Sequence, residues 1–182
     1  MTDEEPRGVD YDAPLAADTI YQLINSSMQW AKPLYLVGAN LSMASLSGAK
    51  LCGGNLSKTK LIGADLRRAD LSNADLYKSD LSGADLYWSS LVGADMREAN
   101  LRSARLWGAD LSNANLSGAH LRAVVLYRAN LSSAILRMVD LQGANLKETD
   151  LSGADLSGAR YNIDTEWPLG FDPESAGAQL VG

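Results

Sequence analysis

Residues 64–88 read ADLRR ADLSN ADLYK SDLSG ADLYW, five copies of one five-residue unit with no residue between them. The unit extends far beyond this stretch. From Leu41 to Leu156 every fifth residue is leucine except Met96, which makes 24 consecutive units without an insertion. Two residues before each of these positions stands alanine in 17 of the 24, and the exceptions (Gly54, Thr59, Ser79, Ser89, Val124, Val139 and Thr149) are mostly small. A period of five fits neither ordinary element. On an α-helix each step rotates the chain so that successive leucines lie about 140° apart, spread over every side. In a straight strand, alternation sends successive leucines to opposite faces. Both arrangements expose half or more of the leucines, and each leucine fully buried is worth roughly 1.5–3 kcal/mol before entropy is subtracted. A chain that turns a corner every five residues around a common axis hides them all, with each leucine and the alanine two before it pointing inward.

The other three positions suit the corner. Asp or Asn precedes the leucine in most units, as at Asp65, Asp70, Asp75, Asp80 and Asp85, and Ser and Gly follow it, as at Ser82-Gly83 and Ser152-Gly153. Such side chains bond to local backbone or tolerate positive φ, which is turn chemistry. Stacked coils of this kind would hydrogen-bond about 4.8 Å apart, as neighbouring strands do.

The units ADLSN at 69–73, ANLSG at 114–118 and ADLSG at 154–158 resemble the A(D/N)LXX consensus of the pentapeptide repeat family. Spacing by itself does not distinguish three sides from four. The resemblance implies an all-β solenoid, a right-handed, four-sided parallel β-helix with four units per coil. On that geometry residues 39–158 form about six coils, a rod roughly 29 Å long at a 4.8 Å stacking distance. Partial copies at 34–38 (LYLVG) and 159–163 (ARYNI) extend the helix to 34–163, with Tyr161 in the leucine position.

A solenoid exposes its core and unpaired edges at both ends and needs caps. In 13–33, apolar Leu15, Ile20, Leu23, Ile24 and Met28 recur at near-helical spacing between Pro14 and Pro33, which predicts a short capping helix. Residues 1–12 are acidic and poor in apolar residues, and a mobile tail is expected there. The C-terminal stretch 164–182, rich in Pro and Gly and carrying Trp167 and Phe171, is expected to fold as a capping loop. Its WPLGFDP resembles tails of short cyanobacterial members of the family, and a dimer contact is the alternative for it.

The formal charge of −6 suggests an acidic protein until the charges are placed. Ten of the acids lie in 1–33 and 161–182, whereas 34–160 carries 14 basic and 12 acidic residues. The rod is close to neutral. One cysteine, Cys52, excludes an internal disulfide framework. The first residues show no basic-then-apolar leader, and no run approaches the roughly 18 apolar residues of a membrane span, so a cytoplasmic protein without membrane contact is expected.

Catalysis needs unlike groups converging in a concave site, and a filled rod offers none. His120, the only histidine, falls on an outward position, as does Cys52. Aspartates twenty residues apart stack, but the glycine-paired nine-residue pattern of calcium-binding β-helices is absent, and local turn capping accounts for them. No cofactor and no metal is expected, and the chain reads as a non-enzyme. On the four-sided frame Tyr87, Trp107 and Tyr127 fall in one vertical file, with Trp88 at its corner and Arg105, Val125 and Arg128 beside it. Cross-strand stacking accounts for the file by itself; Tyr, Trp and Arg together also mark binding surfaces. The resemblance implies protein binding, since characterised members act mostly in that way, one of them a regulator of cyanobacterial cell differentiation. These seven residues are the candidate contacts of a partner protein, and monomer and end-to-end dimer both remain open. The alternative is a DNA-mimicking, gyrase-binding protein that protects against quinolones. A near-neutral rod suits phosphate mimicry poorly, and Asp interleaved with Arg disfavours nucleic-acid binding.

Overall fold

The computed structural model describes residues 34–181. The expected N-terminal tail and helix, 1–12 and 13–33, lie outside the described residues. Each pentapeptide contributes one bridging residue and one turn. The bridges are parallel and join residue n to residue n + 20, from Tyr35 with Asn55 to Asp140 with Arg160. Four pentapeptides therefore make one coil. Only one pair of regular strands occurs among the described residues, β1 (Arg160–Tyr161) against β2 (Gln179–Leu180), in parallel. The reason is geometric: a chain that turns after every bridge has no room to extend a strand.

In a unit with Asp or Asn before the leucine, each backbone N–H has an acceptor, as at residues 66–72. The leucine N–H donates to the next coil, as Leu66 N to Asp85 O at 2.8 Å, and so does the second residue after it, as Arg68 N to Tyr87 O at 2.9 Å. The alanine N–H closes a turn onto the preceding leucine carbonyl, as Ala69 N to Leu66 O at 3.0 Å. The Asp or Asn N–H reaches the previous coil, as Asp70 N to Ala49 O at 2.9 Å. The fifth N–H, on the residue after the leucine, donates to the Oδ1 of the Asp or Asn before it, as Ser72 N to Asp70 Oδ1 at 3.0 Å. The consensus Asp/Asn is thus a structural acceptor, because an amide left without one costs free energy wherever water cannot reach it. The turn requires positive φ at its second central residue, as type II turns do. Fourteen non-glycine residues among those described accept that conformation, including Trp88 at φ 53° and Arg128 at φ 58°.

Leucines and alanines fill the interior, and most are completely buried. Where a hydroxyl replaces the alanine methyl it usually finds a carbonyl: Thr59 Oγ1 bonds Leu36 O at 2.9 Å, Thr149 Oγ1 bonds Leu126 O at 2.7 Å and Ser89 Oγ bonds Leu86 O at 2.8 Å. Ser79 Oγ is buried and finds none among the described residues. Ser79→Ala restores the commonest residue at this position and removes a desolvated hydroxyl, so a gain of about 1 kcal/mol is expected. A denaturant midpoint that fell would show that this hydroxyl is bonded after all.

At the C-terminal end one extra residue enters the chain. Asn145 bridges Glu166, an offset of 21, and Thr165 takes the inward position, its Oγ1 bonding Leu141 O at 3.0 Å. Tyr161 is buried in the leucine file, and Trp167 meets it edge-on at 5.4 Å and stacks on Phe171 at 5.3 Å. Trp167, Phe171 and Ala176 all pack against the core.

Candidate functional site

Two outward files on one side of the rod enclose a shallow groove of about 490 Å³, lined by Asp85, Arg105, Val125 and Asn145 on one wall and Tyr87, Trp107 and Tyr127 on the other. Asp85, Arg105, Val125 and Asn145 are successive bridging residues, so the first wall is stacked at coil spacing. The second wall is an aromatic stack. Tyr87 and Trp107 have ring centroids 4.6 Å apart, and Trp107 and Tyr127 6.0 Å. The three rings are half-buried, and the Trp107 indole N–H is sealed without a hydrogen-bond acceptor among the described residues.

Five of the seven candidate residues meet in this groove: Tyr87, Trp107, Tyr127, Arg105 and Val125. Trp88 stands at the corner beside it, edge-on to Tyr87 at 6.0 Å and 55% exposed. Its ring lies over Gly108, where an added Cβ would fall 3.0 Å from the indole. Glycine, also at φ +66° here, makes the seat on which the indole rests. Arg128 is engaged within the chain: its Nε donates to Glu148 Oε2 at 2.7 Å, and its guanidinium lies 5.2 Å from the Tyr127 ring centre. Tyr127 Oη donates to the other oxygen, Glu148 Oε1, at 2.6 Å. That bond pushes the Tyr127 phenol above its ordinary value, and the Tyr127 hydroxyl followed by Arg128 holds Glu148 below the usual carboxylate range.

Two other cations on this side are likewise spent within the chain. Arg67 pairs with Asp65 at 2.6 Å and Lys147 with Glu166 at 2.6 Å. Arg105 is exposed and makes no ion pair or side-chain hydrogen bond among the described residues, although Asp85 is its bridge neighbour. Asp85 instead accepts the Tyr87 N–H at 3.2 Å.

Several outward carboxylates are held below their usual range. The Ser157 hydroxyl and amide, and then Arg137, bring Asp155 to about 2; Arg67 lowers Asp65 and Arg97 lowers Asp95. A carboxylate lowered in the folded state adds stability above its unfolded pKa and loses it as pH falls through the folded one. Melting temperature should therefore hold from neutrality to about pH 4 and decline between about pH 4 and pH 2. Asp155→Asn should flatten part of that decline; an unchanged profile would show that the Ser157 and Arg137 contacts are lost in solution.

His120 and Cys52 are both exposed. Among the described residues no group of three or more His, Cys, Asp or Glu is placed to hold a metal ion, and no helix is long and apolar enough to cross a membrane.

The family model for pentapeptide repeats matches in 8 copies, over residues 39–77, 54–86, 79–118 and 125–160. The chain is a pentapeptide repeat protein. Proteins of this family fold as right-handed quadrilateral β-helices and are generally structural or interaction proteins. Among solved structures, this pentapeptide repeat protein is similar to alr5209, a pentapeptide repeat protein from Nostoc PCC 7120. The two are 40% identical over 64% of this chain and 84% of that one, with a TM-score of 0.30. It is also similar to HetL, a pentapeptide repeat protein involved in heterocyst differentiation regulation, from the cyanobacterium Nostoc sp. strain PCC 7120. Here identity is 34% over 80% of each chain, with a TM-score of 0.29. QnrB1, a plasmid-mediated fluoroquinolone resistance protein, is 22% identical over 82% of this chain and 92% of its own, with a TM-score of 0.40. No functionally curated protein matches.

Sequence reasoning on this pentapeptide repeat protein did not find Asp85 and Asn145, which complete the groove, or Gly108, which seats Trp88. The register could have supplied all three, since each lies one coil from a named candidate.

Proposed function

We propose that this pentapeptide repeat protein is a non-catalytic rod of about six coils, closed at its C-terminal end by the tail, that binds a partner protein through the groove side. The observation that carries this reading is the combination of the aromatic stack with Trp88. Stacking by itself accounts for Tyr87, Trp107 and Tyr127. It does not account for an indole at the corner that is 55% exposed. Aromatic side chains with an arginine, presented on a rigid scaffold, are the usual makings of a binding hot spot. The regulatory involvement of HetL, 34% identical, is in keeping with a role of this kind.

DNA mimicry of the gyrase-binding sort has less support. A mimic needs a negative rod in place of phosphates, and residues 34–160 carry 14 basic against 12 acidic residues. The deciding experiment compares capture of a partner from source-cell extract, followed by its identification, by the natural protein and by the Trp88→Ser/Trp107→Ser variant. Equal capture by both would remove this side from consideration, and protection of gyrase from a quinolone at stoichiometric protein would replace the reading altogether.

A further inference from the structure

The groove interrupts the rod's own capping scheme. In most units the amide after the leucine donates to the preceding Asp or Asn, and within the groove Asp85 serves Tyr87 at 3.2 Å and Asn145 serves Lys147 at 3.0 Å. Between them stand Arg105 and Val125, which have no acceptor to offer. The amides of Trp107 and Tyr127 accordingly find no acceptor among the described residues. Isolated lapses occur on other sides, for example at Ser90 and at His120, but in both cases the units one coil away keep their Asp or Asn. Only on the groove side do two stacked units in succession lack it. Three unspent donors therefore share one groove wall to wall: the Arg105 guanidinium and the amides of Trp107 and Tyr127.

On the reading that this side binds a protein, we propose that the groove receives an extended segment of the partner carrying an aspartate or glutamate beside an aliphatic residue. The carboxylate takes in trans the place that Asp or Asn holds in the other units, accepting from Arg105 and the Trp107 amide; the aliphatic side chain lies on Val125, which is 36% exposed, and the neighbouring rings. A carboxylate matches this set because a charge-assisted bond to an otherwise unpaired arginine is the stronger kind. Charge complementarity also separates a peptide from a nucleic acid. Arg105 is the groove's only cation, and Asp85 next to it repels a continuous run of phosphates.

The test is a phage-displayed library of random decapeptides selected on the natural protein, with winners re-measured on Arg105→Asn/Val125→Asn. That variant gives the two amides an acceptor within the chain, as in neighbouring units, so its melting temperature should be equal or higher while its surface loses the three donors. We expect enriched peptides to share an Asp or Glu next to Val, Ile or Leu, and to bind the variant about tenfold or more weakly. Arg102→Asn, a cation removed from another side, should leave binding unchanged. Enrichment without an acidic residue, no enrichment over an unrelated protein, or equal binding to the variant overturns the proposal. Oligothymidylate binding that the variant loses overturns it in favour of a phosphate ligand. If peptide selection fails while Trp88→Ser/Trp107→Ser still abolishes partner capture, only the carboxylate is refuted and the protein-binding reading stands.

Discussion

Leu111→Ala should destabilise the rod by about 3–5 kcal/mol, in the upper part of the range for leucine truncation in a core. The cost of such a change depends on how far the surroundings collapse into the cavity, and here they are held apart. Leu111 is completely buried between Leu91 and Leu131 of the adjoining coils. Leu91 N donates to Asp110 O at 2.6 Å and Leu111 N to Asn130 O at 2.7 Å, so the coil spacing is set by main-chain bonds independent of the side chain. The coils cannot close the gap without breaking those bonds. Leu151 is the natural comparison, because it sits in the same file on the last coil and is 8% exposed beneath the tail residues Pro168 to Phe171. Leu151→Ala should cost about 2 kcal/mol or less, since water and a movable loop can fill the space. Urea unfolding followed by far-ultraviolet circular dichroism measures both. Equal losses at the two positions would refute the rigid-coil account. Since each coil touches only its neighbours, the Leu111 variant should also be the one to unfold in two steps, divided at the cavity.

The core was legible because one physical demand, hiding a leucine every five residues, admits almost one solution. Every leucine from Leu41 to Leu146 is at most 2% exposed. What decided the side count was not in the spacing. A period of five is equally compatible with a three-sided chain, and only the bridges from residue n to n + 20 fix four units per coil. Positive φ was legible at the glycines, but Trp88, Arg128 and Met138 adopt it too. There the stacked hydrogen bonds on both sides impose the turn and override a local preference of about 1–2 kcal/mol. The one-residue shift that brings Thr165 inward also escaped the pattern, because Asp164 occupies the position where an uninterrupted count places the alanine. For the candidate site, the vertical file followed directly from the count. The groove did not: it depends on what Arg105 and Val125 fail to do, and an omission at the Asp/Asn position carries meaning only after the structure has shown that this residue holds an amide.

Replacing Trp88 and Trp107 together by serine should abolish partner capture and leave the fold in place, and the asymmetry follows from where each indole spends its contacts. Serine is already at home in both backbone positions. Ser103 and Ser133 adopt the positive φ of the Trp88 corner, at 56° and 58°. Ser47, Ser72 and Ser112 occupy the position of Trp107 in other units. The ladder bond from Trp88 N to Trp107 O, at 3.0 Å, is between main-chain atoms and survives the change. What the rod loses is ring against ring, Tyr87 with Trp107 and Trp107 with Tyr127, worth about 0.5–1.5 kcal/mol for each pair. An interface would lose far more. A buried aromatic anchor contributes about 2 kcal/mol or more when truncated, so two of them amount to roughly a thousandfold in affinity if they act independently. The single variants separate the roles: Trp107→Ser should lower both melting temperature and capture, because its ring supports the stack as well as the surface. Trp88→Ser should lower capture with little change in melting, since its indole is 55% exposed and rests on Gly108 and the edge of Tyr87. A Trp88→Ser protein that melts early but captures normally would make this indole a cover for the corner backbone and leave the groove without its exposed anchor.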